Sequence, residues 1–362
     1  MTDPQPTSES TAESQGASPT DPQTAPNPQV VPASEPPPLP APDPQPAPEP
    51  PPVPTPGSPA VPVADPMFAP PSGPPAPKPV SLRHMESIAE VGLHDGVWMS
   101  ATHFAAAGEA GVGIYDLSQA EPRRAPLGTR DDVTALAWVA RSRALILGDA
   151  GGEVRSNEFS GRAGFFVNAN RGRIVSLVDD PESRKLLSCS ERDVCVIDPD
   201  GPEWLLDGQS RAATWLGEGV FATVGPREVE IWLCETRGKV ATVDAPAASV
   251  CALEYLAAPQ LLAIGLTIGE VAFWSLVDDP PVARGAIRQP DGLTAFAVAP
   301  DEMTLATGTG GGAIRVWRDF APEPPRPTDA GAAVRVLRFS PDGTRLAAVT
   351  ADGIMLYAVV EE

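Results

Sequence analysis

The sequence predicts an all-β fold of seven repeating antiparallel units, set behind a long disordered arm. Three observations carry this expectation. Of the 46 prolines, 29 fall in residues 1–80. Through residues 81–362 a pattern of about forty residues then recurs seven times. Inside each repeat, alternating apolar runs are punctuated by Gly, Pro and Asp, and helical periodicity is absent throughout.

The arm comes first in the chain. Proline alternates there with Ala, Gln, Glu, Ser and Thr, as in Pro36-Pro37-Pro38-Leu39-Pro40. Proline cannot donate to a helix or a ladder, and few large apolar side chains offset the entropy of ordering. Residues 1–80 are therefore expected to be disordered, with local polyproline II character. They are read as a spacer in preference to a PxxP ligand, because such ligands often carry a basic residue and residues 1–77 contain none.

The repeat is clearest where each unit closes: one or two turn residues, a β-branched residue, two more, then usually an aromatic. It reads Val112-Gly-Ile-Tyr115, Val154-Arg-Ser-Asn157, Val194-Cys-Val-Ile197, Val229-Glu-Ile-Trp232, Val271-Ala-Phe-Trp274, Ile314-Arg-Val-Trp317 and Ile354-Met-Leu-Tyr357. Before it come an alternating run (Val133–Trp138, Val334–Phe339), a turn (Ser340-Pro-Asp-Gly343), and a run of small apolar residues (Ala144–Gly148, Thr304–Gly308). Strands joined by hairpins account for this order. The small second runs are expected to stand close to a central axis.

Repeats of this length, with a closing Trp in several units, resemble WD40 repeats, and seven such units make a closed β-propeller. The resemblance covers the whole of 81–362. It is stronger in spacing than in signature: Trp317-Arg318-Asp319 and Tyr115-Asp116 stand nearest the Trp-Asp dipeptide, and His94-Asp95 nearest the Gly-His opening. The family's buried hydrogen-bond network is accordingly expected to be mostly missing, as in a divergent, bacterial-type propeller. The expected fold is an all-β, seven-bladed β-propeller preceded by a long disordered proline-rich arm. The chain ends just after a third strand, so the resemblance implies that residues near 82–91 supply the outer strand of the last blade and remove its open edge.

Charge and chemistry narrow the function. A net charge of −21 with only three lysines argues against general nucleic-acid or anionic-membrane binding. No apolar run approaches the roughly 18–20 residues of a membrane span. The start of the chain shows no secretory signal, so a cytoplasmic location is the expectation. Cys189, Cys195, Cys234 and Cys251 form no metal-ligand spacing and are read as reduced core residues, although a Cys189–Cys195 disulfide across a hairpin is conceivable. His84, His94 and His103 all lie in the first blade region, and His103 is expected to be a core histidine. Gly308-Thr-Gly-Gly-Gly312 lacks the P-loop Lys and lies between strands, so it is a hairpin turn. No repeated inward-pointing acid and no Ser-centred elbow is visible. No enzyme activity, cofactor or metal is expected.

In the family, the face bearing the turns between second and third strands, with the inter-blade connections, is the usual docking surface. In this chain successive connections there carry Arg130, Arg171, Arg173, Arg192, Arg211 and Arg227. On an acidic body they are expected to form a positive arc suited to carboxylates or phosphate. Leu266 and Ile268 bracket an apolar turn in the fifth unit, which either anchors a partner or folds back on its neighbour. The function expected is a non-catalytic scaffold or regulatory subunit, a monomeric propeller that presents its loops to a protein partner with an acidic or phosphorylated segment. The alternative is a hydrolase or lactonase-like propeller with a carboxylate- or metal-lined channel.

Overall fold

In a computed structural model, the described residues are 78–361 apart from 129–131, 160–163, 181, 199–200, 209 and 322–323. They form seven four-stranded antiparallel sheets. Apart from one short 3-10 turn, Ala247–Ser249, no helix occurs among them. The expectation of a disordered arm concerns residues outside the described ones, except at its end: Val80 already begins a strand.

Blade 1 takes four consecutive strands, Leu93–Trp98, His103–Gly108, Gly111–Asp116 and Arg124–Pro126. Blades 2 to 6 repeat this order from first strands Val133–Val139, Ile174–Asp179, Ala213–Gly217, Val250–Leu256 and Ala295–Val298. Blade 7 consists of Val334–Phe339, Arg345–Thr350 and Gly353–Glu361, completed by Val80–Ala89 from the other end of the chain. That closing strand pairs antiparallel with Gly353–Glu361, from Val80 opposite Glu361 to Ala89 opposite Gly353. It begins two residues before the predicted segment. The recurring Val112–Tyr115 pattern and its six counterparts all fall on third strands.

The first strands of successive blades lie against one another around the full circuit, blade 7 against blade 1 included. They are therefore the innermost strands. This corrects the reading of the small second strands. Those strands are sandwiched between neighbouring blades: Ala105, Ala106 and Ala107 are all buried, and so is every residue of Leu186–Ser190 and Thr304–Gly308. Small side chains there set how closely blades can stack, because close-packed interiors leave no slack for larger ones.

Apolar clusters fill each inter-blade space. Trp204, on the outer strand of blade 3, meets Phe221 and Trp232 of blade 4 edge-on, and Trp138 packs against the cluster between blades 1 and 2. The cysteines follow from the pairing register. Cys189 stands opposite Val194 and Cys195 opposite Ser188, so the two thiols point to opposite faces of blade 3, and all four cysteines are free. Burial pushes the Cys189 and Cys195 thiols up to about 12. His103 departs from expectation. It is exposed at the start of its strand, with Nδ1 3.2 Å from Ser100 Oγ.

Candidate partner-binding face

The turns between second and third strands and the inter-blade connections share one face, called upper here. Blade 3 carries a connected hydrogen-bond network there. Ser188 Oγ donates to Asn170 Oδ1 at 2.5 Å, and Asn170 Nδ2 donates to Asp193 Oδ1 at 2.8 Å. Ser190 Oγ donates to the same carboxylate at 2.6 Å, and Arg171 Nε does so at 2.7 Å. Arg171 also pairs with Asp207. Burial alone would raise the Asp193 carboxyl, but the donors from Ser190, Arg171 and Asn170 prevail and hold it below the usual carboxylate range. Blade 6 carries a related set: Thr307 donates to Gln289 Oε1 at 2.7 Å and accepts from Trp317 Nε1 at 2.9 Å. Buried hydrogen-bond sets thus stand in these two blades, with Asn and Gln in the connections. Those amides are hard to distinguish in sequence from ordinary loop residues.

Close backbone approach locks the upper turns to the adjacent connections. At Gly152, with φ +91°, a Cβ would lie 2.2 Å from the Asn170 carbonyl oxygen; at Gly269, with φ +97°, it would lie 2.4 Å from that of Gln289. Only glycine fits either place.

The inner strands share a second regularity. In five of them the pairing slips after the first residue, leaving His94, Thr134, Val175, Cys251 and Arg335 out of register. Such bulges re-aim a side chain. Thr134 uses its position to donate to the Ile174 carbonyl of blade 3 at 2.5 Å, and Thr294 of blade 6 does the same to Val334 at 2.7 Å. Arg335 Nη1 donates to the Leu93 carbonyl at 2.7 Å, which brings blade 7 beside His94 of blade 1. Burial lowers the His94 pKa, and the charges of Arg173 and Arg335 lower it further, outweighing Glu109 and Asp95, which raise it. His94, Arg173 and Arg335 thus lie at the starts of the inner strands of blades 1, 3 and 7, at the upper end of the axis.

Deeper on the inner strands stand acids that the sequence reading did not anticipate. Asp95 accepts the amide of Leu136 at 2.8 Å and that of Gly96 at 2.8 Å, with Arg338 of blade 7 4.0 Å away. Burial raises the carboxyls of Asp95 and, on blade 5, Glu254, while Arg338 acts against both shifts. These two acids occupy different positions along their strands and do not form a repeat. Among the described residues no group of three or more His, Cys, Asp or Glu could hold a metal ion.

The structure distributes the predicted contact residues unevenly. Arg130 lies outside the described residues. Arg171, Arg173, Arg192, Arg211 and Arg227 are all exposed. Arg171 is committed to Asp193 and Asp207, so it braces the face and is removed from the arc of available cations. Arg192 lies against Gly172, where a Cβ would be 3.4 Å from its Cγ. Arg173, Arg192, Arg211 and Arg227 have no carboxylate partner among the described residues. Leu266 is buried at 4% exposure in the core between blades 4 and 5, whereas Ile268 is 66% exposed at the turn. The apolar turn is split accordingly, because Leu266 is the last residue of a second strand, and such strands are covered on both sides. Arg335 escaped the sequence reading because it sits inside an alternating run, where nothing marks the bulge.

The class of protein defined by this architecture is the seven-bladed β-propeller, an arrangement consistent with a WD40-type propeller. No protein-family model matches the chain, and no curated protein matches it in sequence. Among the described residues, no helix is long and apolar enough to cross a membrane.

Proposed function

We propose that the chain is a non-catalytic interaction module, a divergent WD40-type propeller whose upper face receives an acidic segment of a protein partner. The observation that carries this reading is the set of exposed arginines on that face, Arg173, Arg192, Arg211 and Arg227, without carboxylate partners among the described residues of a chain with net charge −21. A closed ring of sheets holds such loops in place at little ordering cost on binding, and arginine forks suit carboxylates. The experiment is affinity capture with the wild-type chain and with an Arg173→Ala/Arg192→Ala/Arg211→Ala variant, in rising salt. Arg171 is left intact because it braces Asp193. The expected outcome is a partner retained at low salt by the wild type and lost by the variant. An identical set of captured proteins would overturn the reading.

A second reading, a propeller hydrolase, draws on Asp95 and Glu254, two half-buried carboxylates on inner strands whose pKa values are raised by desolvation. Its test is hydrolysis of lactone and ester substrates by the wild type and by Glu254→Gln. Activity abolished in the variant would favour this reading over the first.

A further inference from the structure

We propose that the upper mouth of the axis is a carboxylate subsite, taking one Asp or Glu side chain of the partner's acidic segment between Arg173 and Arg335. The proposal rests on the interaction reading above and goes beyond it in naming the group and the place. Three features carry it. First, the bulges bring His94 of blade 1 and Arg335 of blade 7 to the mouth, while the other bulged residues turn away from it: Thr134 bonds to the Ile174 carbonyl, and Val175 and Cys251 pack into the spaces between blades. Second, the hydrogen bond from Arg335 to the Leu93 carbonyl fixes that guanidinium at the blade 7–blade 1 junction, and no carboxylate pairs with it among the described residues. Many other arginines are already spoken for: Arg124 by Glu90, Arg141 by Asp179, Arg288 by Glu270 and Arg315 by Asp291. Third, Arg173 immediately precedes the inner strand of blade 3, Ile174–Asp179, and so stands at the same end of the axis as Arg335; the charges of both bear on His94.

The charge of the ligand follows from what surrounds the mouth. Asp95 lies one residue beyond His94, and Glu109 also acts on His94. Doubling the ligand's charge would double its attraction to the two guanidinium groups and its repulsion by the two acids alike, whereas the cost of desolvating it grows with the square of the charge, so one carboxylate suits the mouth better than a phosphate dianion. An acidic peptide is therefore favoured over a phosphorylated one.

The test uses the full chain and a fluorescein-labelled octaglutamate peptide, read by anisotropy at low ionic strength. Arg173→Ala/Arg335→Ala is expected to weaken binding by about tenfold or more, and Arg288→Ala, on the outer strand of blade 5, by less than about twofold. Arg335→Gln retains a donor for the Leu93 carbonyl, so a weakened peptide complex with this variant, at unchanged melting temperature, separates loss of charge from loss of fold. Octaglutamate affinity indifferent to the mouth variants would overturn the subsite. A phosphoserine peptide of equal length that binds more tightly than octaglutamate would overturn the choice of carboxylate. The face as a whole is judged separately. If Arg173→Ala/Arg192→Ala/Arg211→Ala abolishes partner capture while the mouth variants leave octaglutamate binding unchanged, the subsite fails and the interaction reading stands.

Discussion

The carboxylate of Asp95 accepts the backbone amide of Leu136 across 2.8 Å, so a side chain of blade 1 satisfies the main chain of blade 2 at the axis. With Arg338 on its other side, Asp95 links three consecutive inner strands. Asp95→Ala would leave the Leu136 amide buried without an acceptor and is expected to cost roughly 1–3 kcal/mol in chemical denaturation. Asp95→Asn keeps an acceptor and should cost less. Equal losses for the two would show that the hydrogen bond is not what matters.

Glu254 presents the opposite case. Its carboxyl is raised by burial above the ordinary value of 4.5, so the folded state resists its ionisation. Between the unfolded and folded pKa values the native chain holds more protons than the unfolded one, and stability falls as pH rises through that window. Glu254→Gln removes the penalty. It should raise the melting temperature at pH 7 and 8, with the gain vanishing below about pH 4. A variant less stable than wild type at pH 8 would mean that its attraction to Arg338 dominates.

Asp193 titrates in the contrary sense. Its carboxyl is held below the ordinary 3.8 by donors from Ser190, Arg171 and Asn170 against the effect of burial, so its contribution is present above that pH and fades as the folded form is protonated. Asp193→Ala removes the acceptor of the Ser190 hydroxyl and of the Arg171 guanidinium and leaves the Asn170 amide only its backbone acceptors, at roughly 1–3 kcal/mol near neutrality. The difference from wild type should shrink as pH falls below about 3.8. A difference independent of pH would place the effect in packing alone.

Closure of the ring is open to a direct test. Removing Val80–Ala89 leaves the third strand of blade 7, Gly353–Glu361, with an unpaired edge. A chain beginning at Glu90 is expected to aggregate or to bind added peptide of the sequence Val80–Ala89, because bare edges invite strand addition. Light scattering and peptide titration measure both. A soluble chain as stable as the parent would show that closure contributes little.

Much of the fold was legible in the sequence for a local reason. Period-2 alternation and a repeat near forty residues are properties of strands and turns that each segment carries by itself, so the third-strand patterns from Val112–Tyr115 to Ile354–Tyr357 all landed where expected. The closing strand was found by bookkeeping of strands, within two residues. His103 was misplaced because an apolar run following it says nothing about the turn in front of it. The second strands were put at the axis because small residues fit any crowded strand, and crowding between blades looks the same in sequence as crowding at a centre.

The binding face was legible only as a list of arginines. Which of them is available depended on pairings between segments far apart in the chain. Arg171 meets Asp193 22 residues on and is neutralised there, while Arg335 meets Leu93 242 residues away and is delivered to the axis. Leu266 and Ile268, two residues apart, were separated into core and surface by where one strand ends. Strand order, repeat number and ring closure follow from local alternation, turn chemistry and count. Charge partners, the meeting of Arg335 with the start of blade 1 and the half-buried carboxylates of Asp95 and Glu254 came only with closure of the ring, because electrostatic energy depends on distances in space that chain spacing does not encode.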